Sequence, residues 1–137
     1  MSTLLLNTLT GKTSAGSIVV TGEGGSTTTN MQQGLLKGFV HHSGDHGSVT
    51  TNNSFNVASN TDNAAGDATY TWTNAFGNVY PSVSGMSTED GTIGYVTLYF
   101  DRSYTRSAAN VRVQGIDHGD SFDDGQYSSV MVAGDLA

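Results

Sequence analysis

The densest set of side chains able to ligate a metal or move a proton is His41, His42, Asp45 and His46. Neutral imidazole is a good ligand and titrates near neutrality. His41 and His42 are adjacent, however, and adjacent side chains on a β-strand point to opposite faces, so the two cannot share an ion within one chain. Three copies of one of them could meet around a three-fold axis. The plainer reading is a polar loop in which Ser43, Gly44 and Gly47 supply the turn. A second cluster, Asp117, Asp120, Asp123 and Asp124 with Gly119 and Gly125 among them, could offer hard oxygen ligands to Ca²⁺. Its spacing departs from the EF-hand loop, which needs acids at alternate positions and a Glu at the twelfth. A solvated acidic loop is the competing reading.

Signatures of catalysis are missing from the sequence. There is no Gly-x-Ser-x-Gly elbow, no His-Glu-x-x-His helix, no phosphate-binding Gly loop and no cysteine nucleophile. A Ser-His-Asp triad gathered from distant positions is recognised by geometry, which sequence does not supply. In a chain this small, with no long helix to hold a site, the expectation is a non-enzyme without a cofactor. The aromatics Tyr70, Trp72, Tyr80, Tyr95, Tyr99, Phe100 and Tyr104 would make a sugar-binding surface if several faced solvent. Aromatics in strands of period two more often fill a core or a subunit interface. Tyr80 and Tyr104, near turns, are the expected exceptions.

The elements that must position these groups are strands. Over residues 37–42 the pattern places Lys37, Phe39 and His41 on one face and Gly38, Val40 and His42 on the other. Phe55 and Val57 share a face of the next strand, which runs into a turn-rich segment, residues 60–67. Asn and Asp side chains bonding to nearby backbone, with Gly66 free to take positive φ, reverse the chain there. The clearest period of two follows, with Ala68, Tyr70 and Trp72 opposite Thr69, Thr71 and Thr73. Residues 78–83 contain Pro81, which predicts an edge strand. Further strands are expected over 92–100, over 108–116 with Val111 and Val113 alternating with Arg112 and Gln114, and over 127–133 with Val130 and Val132 opposite Met131. Six or seven short strands predict a mainly β fold, an antiparallel β-sandwich or jelly-roll-like barrel.

Ahead of these strands, residues 1–35 read as an extended N-terminal arm and 36–137 as one compact β domain. The arm has two β-prone runs, residues 3–8 and 17–21, separated by turn-formers, and no aromatic to anchor a core. Its strands are expected to pair with a neighbouring subunit's sheet. Met31 and Leu35, spaced i and i+4 behind Asn30 as an N-cap, predict one or two helical turns at the hinge.

Composition bounds the function. The 137 residues suit one domain. Eighteen glycines and many Ser, Thr and Asn leave little apolar surface for a self-sufficient core, which favours an obligate oligomer. Twelve acids against five scattered Lys and Arg give a net charge of −7, which argues against nucleic-acid binding. The apolar run at residues 4–6 is far shorter than a signal-peptide core, and no stretch approaches the ~18 apolar residues of a membrane-crossing helix, so neither secretion by that route nor membrane insertion is expected.

The stretch Ser54-Phe55-Asn56-Val57-Ala58-Ser59-Asn60-Thr61-Asp62-Asn63 followed by Gly66-Asp67-Ala68-Thr69-Tyr70 resembles a recurrent segment of small tail-fibre or fibre-like virion proteins of marine bacteriophages. The opening Met1-Ser2-Thr3-Leu4 with Asn7-Thr8, the Gln32-Gln33-Gly34 that leads into residues 37–40, and the closing Gly134-Asp135-Leu136-Ala137 are similar to that group as well. His41-His42 and the acids from Asp117 to Asp124 depart from it. The resemblance implies a β-rich structural protein of the virion, made in the host cytoplasm and assembled as a homotrimer, as a tail fibre, head fibre or capsid decoration protein that meets other virion proteins through its arm. The rival expectation, from a different class, is a carbohydrate-binding module that recognises host surface glycans.

Overall fold

The computed structural model describes residues 4–11, 18–22, 25, 28–43, 50–88, 95–100, 105, 107–117 and 119–136. Chain contacts divide it into two units, Met1–Leu35 and Leu36–Ala137. In the first unit β1 (Val19–Thr21) pairs antiparallel with β2 (Thr28–Asn30), and α1 (Met31–Gly34) is a single helical turn. Residues 19–21 of the 17–21 run thus pair with a strand of their own chain. Its three residue pairs close locally through the intervening glycine-rich segment. None of the unit's described side chains is buried.

The second unit is mainly β. Its strands are β3 (Leu36–Ser43), β4 (Thr50–Phe55), β5 (Val57–Ala64), β6 (Asp67–Trp72), β7 (Ser82–Thr88), β8 (Tyr95–Phe100), β9 (Asn110–Ile116) and β10 (Tyr127–Ala133). They lie in the order β4-β3-β10-β7-β8-β9-β6-β5, and every pairing is antiparallel. The β7–β8 ladder spans only two residue pairs, Ser87↔Val96 and Thr88↔Tyr95. At that short seam the sheet folds into two four-stranded layers, β4-β3-β10-β7 and β8-β9-β6-β5. Pairs β3·β10, β6·β9 and β7·β8 are nested in sequence, the wrapped arrangement of a jelly roll.

Both layers feed one core: Val40, Val130 and Val132 from the first, Tyr70, Trp72, Val111 and Val113 from the second, and Phe76 from the segment after β6. Alternation explains the choice, since Val130 and Val132 flank the outward Met131, and Val111 and Val113 flank Arg112. Trp72 meets Phe76 edge to face at 5.6 Å between ring centres. Gly38 makes room for the indole, because a Cβ there would lie 3.1 Å from its six-membered ring.

Three sequence expectations are corrected here. Phe55 and Val57 do not share a face: Asn56, at φ 59°, turns the chain from one layer to the other, so Phe55 ends β4 and Val57 begins β5 against the core. The corner is pinned by Asn56 itself, whose amide donates to the carbonyls of Lys37 and Asn74 and whose side-chain oxygen accepts the Asn74 amide. The turn-rich segment 60–67 is strand β5 as far as Ala64, and the reversal shrinks to Ala65 and Gly66. Pro81 marks no edge. It precedes β7, which lies between β10 and β8.

Candidate functional site

The two faces of β3 carry different chemistry. Inward, Thr51, His42, Ser128 and Ser87 stand in register across β4, β3, β10 and β7. His42, Ser128 and Ser87 are buried. His42 Nε2 and the Tyr70 hydroxyl lie 2.7 Å apart and join the two layers through the interior. Ser87 Oγ and Ser128 Oγ are 2.6 Å apart, and Ser87 also donates to the Tyr127 carbonyl. Nδ1 of His42 has no hydrogen-bond partner among the described residues. Burial and the charge of His41 hold the His42 imidazole below its ordinary pKa, against the opposing pull of Asp124. Burial likewise raises the Tyr70 phenol.

This row does not have the bonding of a nucleophilic triad. The histidine is spent on a tyrosine, the serines on one another, and the Asp124 carboxylate accepts the Gly66 amide at 2.6 Å. A Ser–His contact does occur on the outward face, where His41 Nδ1 and Ser129 Oγ are 2.7 Å apart. A general base needs a third group to orient it, and none of the strands β3, β4, β7 and β10 contains an Asp or Glu. What the contact does is tie β3 to β10 beside the parallel-stacked rings of His41 and Tyr127.

Histidine 42 carries a pH consequence. Its folded pKa lies below the unfolded value near 6.5, so on acidification the unfolded chain takes up the proton first. Stability is therefore expected to fall as pH drops from about 6.5 toward the folded pKa. Asp67 acts at lower pH. Burial opposes its ionisation, but hydrogen bonds from Arg112, Asn63 and Gln114, with the Arg112 charge, outweigh that and hold its pKa below the usual value. Its contribution is present above the unfolded carboxylate value and is lost as pH falls through the folded one. Melting temperatures between pH 8 and 3 should thus decline in two stages, and His42→Gln should remove the first alone.

The four candidate calcium ligands do not converge. Asp117 Oδ1 accepts the amides of Gly119 and Ser121 at 2.7 and 2.8 Å, Asp124 is committed to Gly66, and the Asp123 amide donates to the Gly115 carbonyl. Among the described residues no three His, Asp or Glu side chains gather around a point where an ion could sit. Asp45, His46 and Tyr104 lie outside the described residues, as do the side chains of Tyr95, Tyr99 and Phe100. Of the remaining aromatics Tyr70 and Trp72 are buried, whereas Tyr80 is exposed as expected.

Comparison with protein-family models, curated proteins and solved structures found no match.

Sequence reasoning passed over the outward face of the β4-β3-β10-β7 layer. One row across it reads Phe55, Phe39, Met131, Ser84, and the next Asn53, His41, Ser129, Met86, with Tyr127 beyond. Phe55, Met86, Tyr127 and Met131 are exposed. The outward face of the other layer is different in kind: Asp67 and Arg112 form a bidentate ion pair there, with Asn63 and Gln114 bonded to the same carboxylate.

Proposed function

We propose that this chain is a structural, non-catalytic subunit of a bacteriophage particle, a homotrimeric β sandwich that attaches to other virion proteins through its N-terminal arm. The observation that carries the reading is the state of that arm. Leu4, Leu5, Leu6 and Leu9 are exposed, as are Val19 and Val20 of the β1–β2 hairpin. An apolar segment with no core of its own gains burial only against another surface. An extended run gains main-chain hydrogen bonds as well by adding to a sheet edge. The burial of Tyr70 and Trp72 supports assembly over the alternative, a module that recognises host surface glycans, because it withdraws two of the aromatics a sugar would stack on.

Deleting residues 1–30 tests the reading. The truncated chain is expected to melt cooperatively, with its core residues all retained, and to be missing from purified particles. Its presence there at normal copy number would defeat the attachment role.

A further inference from the structure

We infer that the outward face of the β4-β3-β10-β7 layer is the surface on which a second copy of this chain docks. The inference rests on the assembly reading above and supplies the contact through which copies meet. Met86, Phe55, Met131 and Tyr127 are 79%, 53%, 52% and 46% exposed, and Phe39 lies beside Phe55 at 6.3 Å between ring centres. Methionine and aromatics are enriched, and acids depleted, at the centres of protein interfaces.

Charge selects the occupant. The chain carries twelve acids and a net charge of −7, so two copies repel wherever acids face acids within the ~8–10 Å reach of unscreened charge. None of these four strands contains an acid, and Lys37, the one lysine or arginine among them, is buried. The strands of this face therefore set no acid of their own against a second copy. A sugar's hydroxyls would meet no carboxylate on these strands. An anionic membrane would want exposed basic side chains, and the face has none among the described residues.

Area sets the strength. Four strands ~4.8 Å apart and six to eight residues long at ~3.4 Å per residue make a face of about 400–500 Å². A stable interface buries about 800 Å² per partner. The face alone thus gives weak, concentration-dependent association.

Sedimentation equilibrium of the full chain between about 1 µM and 1 mM, the span in which such an interface dissociates, tests this. The native chain is expected to self-associate within that range. Met86→Glu should weaken association about tenfold or more, as a charge placed in an apolar contact does, whereas Thr61→Glu, an equal charge on exposed strand β5, should leave it unchanged. Met131→Ser, which adds no charge, should weaken it by a smaller factor, and thermal melts of each variant verify the fold. A native chain that stays monomeric throughout overturns the proposal, with or without glycan bound. So does association that Met86→Glu and Met131→Ser leave intact. Because no particle is involved, either failure is distinguishable from a failure of arm-mediated attachment.

Discussion

Trp72→Ala is expected to cost about 3–5 kcal/mol, the range for deleting a buried aromatic side chain. Trp72 is 4% exposed and packed edge to face on Phe76. It occupies the space that Gly38 leaves open on the facing layer. Its indole Nε1 has no hydrogen-bond partner among the described residues, hence Trp72→Phe, which removes that donor and keeps most of the volume, should cost much less. Denaturant titration of both variants measures the difference. The native indole should also be shielded from aqueous quenchers. Full quenching with little stability lost on truncation would place the residue on a surface.

Gly66→Ala should be nearly as damaging although it adds one carbon. Gly66 has φ +67°, and its Cβ would fall 2.6 Å from both the Asp123 nitrogen and the Gly115 oxygen. Both are backbone atoms of a different part of the chain and cannot swing aside as a long side chain would. The left-handed conformation costs a non-glycine residue about 1–2 kcal/mol, and forced overpacking typically adds 1–3, so a loss of about 3 kcal/mol is expected. The same turn is bonded on both sides, its amide to Asp124 and its carbonyl to the Gly115 amide at 2.7 Å. The adjacent Ala65→Gly, at an exposed position, should change little. A thermal midpoint for Gly66→Ala within a degree or two of the native one would show that the loop carrying Asp123 yields without cost.

What the sequence made legible follows the strength of its periodic signals. The Tyr70 and Trp72 strand was readable because bulky rings alternate with threonines, and β9 and β10 because valines alternate with polar residues or methionine. The opposite facing of His41 and His42 also follows from period two. Lys37 breaks the outward series and is buried where the β3–β10 register slips, an irregularity that leaves no mark in residue type. Asn56 was opaque for a related reason: a single residue in the left-handed region switches the chain between layers, and Asn is common in ordinary turns as well. Pro81 misled because proline restricts only its own position, and β7 begins one residue later.

Candidate sites were harder to read than the fold. Serines 87 and 128 are polar residues hidden inside the sandwich, a placement that becomes visible only once β7 and β10 are known to be neighbours. The aspartates of residues 117–124 looked like ligands by count, whereas Asp117 and Asp124 hold down backbone amides. The apolar outward face was written in the sequence as four acid-free strands, but strands distant in sequence reveal a shared surface only after their order is known.

Strand β10 is the last of the described strands in sequence, yet it sits between β3 and β7 in the middle of its layer. During synthesis the first layer therefore stays open along its centre until residues 127–133 emerge from the ribosome, and until then β3 is paired with β4 and β7 with β8 but nothing joins the two pairs into one layer. A chain cut short before Tyr127 would keep β5, β6 and β9 while splitting the opposite layer into two pieces. Completion of the sandwich thus waits for β10, and a chain terminated before that strand lacks the joined acid-free face.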